Sequence, residues 1–565
     1  MNFKHKDYFI SFVYIVVIVL IIIASSWSSV RVDLTQDKRY TLAETTKEYL
    51  ENLDKRVVLK VYLDGDMPVG LKRLNKALDH KLQEFRLIAG SDFQYKFVDP
   101  SAAKDSKRRE KMYQQLIDKG VKPVNFQQRD TKGGVVTQVV FPGLEMRYGN
   151  KSIAVNVLKN NPTYDGDQNL NLSIENLEYE LLNAMKTLLV EKKVAVGFVK
   201  GHNEAQEAEL ADIKNELKPQ TDVSNVILSS LDVALRYKCL VFADPKSSFS
   251  EDEKYIIDQY LLRGGNVLWF VDIVGVNADS LSHQGQTISV IRNLNIEDML
   301  FDYGVRVNPV IVQDFQCLQL PINIAPAGQN AEFRPASWMY MPLATPTSNA
   351  LTRGLNFVKT AYPSSVDFVN SSDDVNSTVL LQTSGYNRLK SVPNAISLYE
   401  INDKPTKLSL KHDPFNIAVM LEGEFNSIFT NRIVKGFEAK NDCQTIYKSE
   451  KSGKLIVVAD ADIIKNEVVN LASGPRIMRL GYDRYSKQMF DNLLFVKNVV
   501  SYTSGGEEVM SLRTHQFKMR LLDKNKTSFN RFYWQLFNVI MPIVIVLLAG
   551  VLLWFLRWYK YSKRR

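Results

Sequence analysis

Two long uncharged runs bracket the chain. Tyr8 to Val30 has no charged side chain, is preceded by Lys4, His5, Lys6 and Asp7, and is followed by Arg31. Phe532 to Leu556 is the second run, and Arg557, Lys560, Lys563, Arg564 and Arg565 follow it. At a rise of 1.5 Å per residue, about 20 apolar residues cross a hydrocarbon core of about 30 Å. The pattern therefore predicts two membrane-spanning helices, an N-terminal anchor in residues 1–30 and a second helix over residues 532–556. The basic tail, residues 557–565, is of the kind held on the cytoplasmic side. Two crossings return both termini to that side, so residues 31–531 are expected to be exported. Lys524, Lys526 and Arg531, on the outer flank of the second run, moderate the charge bias. A cleaved signal peptide is the competing reading of the first run, because Ala24, Ser25 and Ser26 are small enough for processing. The length of the run and its Ile/Val content favour a retained anchor.

Between the runs the periodicity alternates between strand and helix. Thr41 or Thr45 is placed to cap a helix running towards Leu53, with Glu44 as capping-box partner of Thr41. Val57–Leu63 alternates as a strand, Val69–Ile88 reads as a helix, Phe93–Val98 as a strand and Ser106–Lys119 as a helix. After Gly133-Gly134, Val135–Phe141 and Leu144–Tyr148 read as a hairpin around Pro142-Gly143. This β-α-β-α-β-β order over residues 31–165 resembles a thioredoxin-like domain without redox cysteines, so a binding or spacer role is expected of it.

A helix with the apolar stripe Ile174, Leu177, Leu181, Leu182, Met185 and Leu188 leads into a second unit, residues 166–284 and 451–505. Its strands are expected at Val194–Val199, Val223–Leu228, Cys239–Ala243, Asn266–Val271 and Leu455–Val458. Helices are expected at Ala205–Leu217, Glu251–Leu262 and Gln488–Tyr502. Short, wholly apolar strands alternating with helices imply a parallel sheet covered on both faces. Residues 285–450 differ in texture, with Pro309, Pro321, Pro326, Pro335, Pro342, Pro346 and Pro363 among short alternating segments, and read as a β-rich insertion. Residues 506–531 are polar and basic and read as a linker into the second span, which Pro542 should kink.

Composition narrows the classes. A chain of 565 residues with 45% hydrophobic and 24% charged side chains is not disordered as a whole. The net charge of +9 is scattered and carries no basic stripe interleaved with aromatics, so nucleic acid is not an expected partner. Cys239, Cys317 and Cys443 make no CxxC, and Cys239 sits in an apolar strand, as a buried free thiol would.

In open parallel sheets ligands bind beyond the carboxyl ends of the strands. Those ends hold Gly201-His202-Asn203-Glu204, Asp244-Pro245, Asp272 and Asp460-Ala461-Asp462. His202, Glu204, Asp244, Asp272, Asp460 and Asp462 are thus a candidate rim for a cation, a sugar or a peptide. The competing reading is that each Asp or Asn caps a turn or a helix. No catalytic, cofactor or metal set stands out. His202 and Glu204 lack an HExxH context, and the turn after Ala243 carries Asp244-Pro245 where a nucleophile would need a glycine-flanked elbow. No GxxxxGK[ST] occurs, so ATP energy must come from another protein.

Four stretches in order, Asp33-Leu-Thr-Gln-Asp-Lys-Arg-Tyr-Thr-Leu, Gly201-His202-Asn203-Glu204, Arg263-Gly264-Gly265-Asn266 and Val419-Met-Leu-Glu-Gly-Glu-Phe-Asn-Ser, together with the two-anchor layout, carry a family resemblance. The chain resembles the GldG family, the auxiliary, substrate-binding-type membrane component of the bacterial gliding-motility ABC transporter. The resemblance implies an inner-membrane protein with both termini cytoplasmic and a large periplasmic region, and as partners a permease subunit and a cytoplasmic ATPase. It also implies an amidotransferase-like central sheet lacking the catalytic cysteine, in keeping with Asp244 at the candidate turn. The function expected is a non-enzymatic subunit, without cofactor, that binds a periplasmic partner or substrate. The alternatives are a membrane-tethered enzyme acting on envelope polymers and a structural element of a gliding or secretion apparatus.

Overall fold

The computed structural model describes residues 13, 14, 16, 17, 19, 41–129, 135–159, 165–190, 192–323, 330, 332–369, 374–402, 406–441, 443–471, 474–512 and 531–562. It divides into two units, Met1–Gln516 and Phe517–Arg565.

The first unit opens with α1 (Glu44–Glu51), β1 (Val57–Val61), α2 (Val69–Ala89), β2 (Phe93–Phe97) and α3 (Ser106–Asp118). There follow β3 (Val124–Arg129), β4 (Val135–Val140), β5 (Gly143–Tyr148), β6 (Lys151–Asn156), α4 (Gly166–Glu175) and α5 (Leu177–Leu189). Four strands form one sheet in the order β2-β1-β5-β6, with β1 and β2 parallel and the remaining pairs antiparallel. Leu59, Val61, Leu144 and Met146 from this sheet are buried with Leu71, Leu74, Leu78 and Leu82, which recur at helical spacing along α2. Leu177, Leu181, Met185 and Leu188 of α5 join the same core.

The expected hairpin around Pro142-Gly143 is not formed. β4 pairs with β3, while β5 pairs with β1 and β6. Pro142-Gly143 is a corner whose carbonyls are taken from outside, Gly143 by the Tyr62 N–H at 2.9 Å and Pro142 by the Val157 N–H at 3.0 Å. A Cβ at Gly143 would lie 2.8 Å from the Val155 carbonyl oxygen, so only glycine fits the crossing. The start of α1 also departs from expectation. Its N-cap is Ala43, whose side chain makes no cap bond, and the buried Thr45 hydroxyl finds no partner among the described residues. Instead Glu178 of α5 accepts the Ala43 N–H (2.9 Å) and the Thr46 hydroxyl (2.7 Å), a distant carboxylate doing the work of a local cap.

The second sheet uses β7 (Val194–Val199), α6 (Ala211–Leu217), β8 (Thr221–Val226), β9 (Cys239–Ala243), α7 (Glu251–Leu262) and β10 (Asn266–Phe270). It continues with β11 (Cys317–Asn323), β12 (Phe333–Pro346), β13 (Val375–Gln382), β14 (Asn416–Gly423) and β15 (Gly453–Val458), before α8 (Asn492–Ser501) and α9 (Glu507–Ser511). The strand order is β11-β12-β13-β14-β15-β10-β9-β7-β8. From β15 to β8 neighbouring strands are parallel, as the apolar runs predict. From β15 to β11 they are antiparallel, so the β-rich insertion prolongs the same sheet. Alternate side chains go to opposite cores. Leu240, Phe242, Val267 and Trp269 face α7, whereas Val241, Ala243, Leu268 and Phe270 face Phe495, Val496 and Val499 of α8. Cys239 is a buried free thiol.

Element bounds shift where tertiary bonds intervene. The helix expected from Ala205 begins at Ala211, because the Ala205 N–H is held by the Ala243 carbonyl at 2.9 Å. The strand expected at Val223–Leu228 is β8, two residues earlier. The helix expected from Gln488 begins at Asn492, after a two-residue strand at Gln488–Met489, and part of the expected linker is helical as α9.

The second unit contains α10 (Arg531–Ser562), with Pro542 in its interior. Arg531–Leu556 is long and apolar enough to cross a membrane, and none of that stretch is buried. Of the first apolar run only Val13, Tyr14, Val16, Val17 and Val19 are described, all helical. The rest of that predicted anchor and residues 513–530 of the linker lie outside the described residues.

Candidate functional site

The six rim residues fall into two knots at the carboxyl ends of the parallel strands. The first follows β7. Gly201 (φ +136°) and Asn203 (φ +56°) turn the chain so sharply that Glu204 folds back and accepts the N–H groups of Gly201 and His202, each at 3.0 Å. His202 is 4% exposed and lies flat on Phe249, ring centroids 3.7 Å apart. Its Nδ1 is 3.1 Å from Glu204 and its Nε2 3.2 Å from Glu253. Glu253 is also the capping-box partner of Ser250 at the start of α7. Burial alone would lower the His202 pKa, but the hydrogen bond to Glu204 and the charge of Glu253 outweigh it and hold the value above the ordinary one. Burial would likewise raise Glu204 and Glu253. For Glu204 the hydrogen bonds from His202 and the turn prevail, for Glu253 those from Ser250 with the His202 charge, and both carboxyls end below their usual range.

The second knot gathers the aspartates. Asp244, directly after β9, has φ +57° and a carboxylate with only 1% of its side chain exposed. It faces Lys465 at 2.8 Å, Arg292 at 3.1 Å and Lys246 at 3.3 Å. Burial would raise its pKa, and these three cations together bring it down. Asp272, after β10, accepts the Ala461 N–H at 2.7 Å, with Arg292 at 3.7 Å and Lys465 at 4.0 Å. Burial raises Asp272 to about 6; Lys465 opposes the rise, and the carboxylates of Asp462 and Asp244 add to it. Asp460, after β15, caps a short turn, accepting the N–H groups of Asp462 (2.8 Å) and Ala361 (2.7 Å). Burial, then Asp462 and Asp272, push its pKa well up. Asp462 pairs with Lys465 at 2.8 Å. Lys465 itself would be lowered by burial, but Asp462, Asp272 and Asp244 raise it.

The strand ends therefore bring Asp244, Asp272, Asp460 and Asp462 into one charge network, and His202 with Glu204 into an adjoining one. Lys246 links them, since its N–H donates to the His202 carbonyl at 2.7 Å while its ammonium faces Asp244. The capping interpretation describes Asp460, and in part Asp272, but not Asp244, which is an ion-pair hub. Lys465, Arg292 and Glu253 complete these networks without being among the candidate residues the strand ends single out. Ser250-x-x-Glu253 is a readable capping box, and Lys465 stands three residues after Asp462. Arg292 arrives from a distant strand end with no local signal. Among the described residues no three or more His, Cys, Asp or Glu side chains converge as ligands for a metal ion. What this network does is hold the strand ends together, with Asp272 and Asp460 kept above the usual carboxylate range by burial and by their neighbouring carboxylates.

A different kind of concavity lies elsewhere in the first unit. A cleft of about 590 Å³ opens between α1, the β5–β6 turn and the end of α5, walled by Tyr49, Tyr148 and Leu189 and edged by Glu48, Lys55 and Asn150.

These features define a mixed α/β protein with two large sheets and a helix of membrane-spanning length. Residues 193–499, more than half of the chain, match the family model of an ABC-type uncharacterized transport system, and the chain belongs to this family of transporter auxiliary proteins. Residues 36–147 match a domain of unknown function. No curated protein matches the chain. Among solved structures it is similar to the mmIFT52 N-terminal domain, at 13% identity and a TM-score of 0.31 over 55% of this chain and 98% of that one, too distant to carry an argument. Family membership makes the protein an auxiliary component of an ABC transporter, associated with transporter components and with the membrane.

Proposed function

We propose that this chain is the non-enzymatic auxiliary subunit of a gliding-motility ABC transporter of the GldG type. Its two anchors hold it in the bacterial inner membrane with both termini cytoplasmic. Its exported domains bind a periplasmic partner or substrate and work with the permease subunit and a cytoplasmic ATPase. The observation that carries this reading is the family match over residues 193–499, which spans the parallel sheet and its β-rich continuation.

Further features support the finer parts. The order β2-β1-β5-β6, with one parallel and two antiparallel pairings, favours a thioredoxin-like first domain with the β3–β4 hairpin inserted. The five parallel strands from β15 to β8 favour an amidotransferase-like second domain. In such a sheet the left-handed turn after β9 is where a nucleophile would stand, and Asp244 occupies it with its carboxylate tied to Lys465 and Arg292. That is the support for a non-catalytic role.

The test is affinity purification of the full chain from membranes in mild detergent, followed by mass spectrometry. Recovery of a permease and an ATPase is the expected result. Recovery of envelope-polymer enzymes alone, or of gliding or secretion structural proteins alone, overturns it. Orientation is checked by cysteine labelling. Cysteine at Arg236, an exposed position, should react with an impermeant thiol reagent once the outer membrane is permeabilised, and cysteine at Ser562 should not.

A further inference from the structure

We propose that a cavity beside the short helix Glu297–Asp302 binds a free apolar α-amino acid, with its side chain inward and its charged head at the mouth. The proposal goes beyond the transporter reading and stands whether or not a permease is recovered with the chain.

The cavity, of about 320 Å³, opens between that helix, the strand Val305–Asn308 and the segment that follows β10. Ile273, Leu300, Phe301 and Val307 make it apolar, and Glu297, Asp298 and Arg306 are the charged residues on its wall. The walls are fixed from behind. Tyr303, at the end of the helix, donates its hydroxyl to Asp258 of α7 at 2.8 Å, and Asp298 takes the buried Lys254 ammonium of α7 at 2.7 Å. Gly304 (φ +104°) then turns the chain into Val305–Asn308, which pairs with Ser365–Phe368. Ile273, Leu300 and Val307 belong to the core beneath. The space is therefore held open by packed elements, as pre-formed ligand sites are, and its size stands at the small end of their range of about 300 to 1,000 Å³.

Charge decides the class of ligand. Asp298 is neutralised twice over, by Lys254 and by Arg432 at 3.2 Å. Glu297 spends one oxygen on the Ile296 N–H at 2.9 Å, and among the described residues its carboxylate makes no ion pair. Arg306 makes neither a side-chain hydrogen bond nor an ion pair among them, since Asp367, across the strand pair, accepts the Asn308 side-chain amide at 2.7 Å instead. One exposed carboxylate and one exposed guanidinium thus remain at an apolar cavity. A fatty carboxylate would leave Glu297 unanswered, an amine would leave Arg306 unanswered, and an internal peptide residue carries neither charge. A free amino acid answers both, its carboxylate facing the guanidinium and its ammonium facing Glu297, while an apolar side chain fills the space behind.

The test uses the full chain in detergent and equilibrium dialysis with radiolabelled L-leucine, L-methionine and L-phenylalanine. Saturable binding of at least one of them is expected, and Arg306→Gln and Glu297→Gln should each weaken it by about tenfold, the worth of one charge-assisted hydrogen bond. Both side chains are exposed and free of ion pairs among the described residues, so both variants should melt as the wild type does, which separates lost binding from lost structure. Isocaproate, the leucine skeleton without its ammonium, and N-acetyl-leucinamide, leucine without either charge, should fail to compete. No saturable binding of any of the three amino acids up to about 1 mM overturns the proposal. Binding that both variants leave unchanged overturns it too. Competition by isocaproate or N-acetyl-leucinamide at the strength of leucine itself also overturns it, and makes the cavity a site for carboxylates or for peptide segments.

Discussion

The strand-end rim and the cleft beside α5 are opposites in how they use charge. Around the rim, Asp244, Asp272 and Asp462 share Lys465 and Arg292, His202 is held between Glu204 and Glu253, and Asp460 is filled by two backbone N–H groups. The cleft has fewer charges, and those of Glu48, Asp54 and Lys55 are spoken for by nothing among the described residues. A dense cluster of ionisable side chains is thus compatible with a purely internal role. Burying a charge costs several kcal/mol, and the chain meets that cost by pairing it. Exposed charges need no partner and stay available for one from outside. Density of charge at strand ends marks a place where the fold must be held, and unpaired charge around an aromatic cleft marks a place where something else can be.

The sharpest way to break this contrast is Lys465→Met. It leaves Asp244 buried with one close cation fewer and should lower unfolding stability by about 3–5 kcal/mol, read by urea denaturation. A loss under about 1 kcal/mol would mean that the network is not internally balanced. Asp244→Asn is the second test. Asn tolerates the left-handed turn, so the loss is that of the ion pairs, about 1–3 kcal/mol, whereas a simple cap would tolerate the same change almost without cost.

The His202 knot gives a pH signature. His202 is raised in the folded state, so its contribution is whole below about pH 6.5, its ordinary value, and is lost as pH climbs through the folded value. Glu204 and Glu253 are lowered, so theirs is whole above about pH 4.5 and is lost as pH falls through the folded values. The knot should therefore stabilise most between about pH 4.5 and 6.5. The stability difference between the wild type and His202→Gln, measured by denaturation at several pH values, should be largest there and shrink at alkaline pH. The smallest effect belongs to the cleft. Lys55→Ala should change stability by less than about 0.5 kcal/mol in thermal melts, because Lys55 is exposed and its ammonium makes no hydrogen bond or ion pair among the described residues. A larger loss would make the cleft charges structural and erase the contrast.

Much of the second sheet was readable in advance. Val194–Val199, Cys239–Ala243 and Val267–Phe270 are runs without a polar side chain, and such runs are parallel strands covered on both faces. Pro142-Gly143 is a strong local turn signal that tertiary pairing overrides. The strands on either side of it had better partners elsewhere, β3 for one and β1 with β6 for the other. The rim was located by its place at the strand ends and by its residue types. Its state was not legible, because Arg292 lies 48 positions from Asp244 and Lys465 lies 221 away. The cleft left no trace in local pattern, since Tyr49, Tyr148 and Leu189 belong to three separate elements.

By itself the sequence determined what short-range order can encode. Runs of uncharged residues set the spanning length of Arg531–Leu556, and alternation set the strands. Helical spacing of Leu71, Leu74, Leu78 and Leu82 set the buried face of α2. Tertiary structure alone decided which carboxylates are neutralised and where the insertion joins the sheet. Those outcomes depend on pairings between residues far apart in the chain. A pairing of that kind is selected by the free energy of burying two groups together, a quantity that neither residue's neighbours along the chain contain.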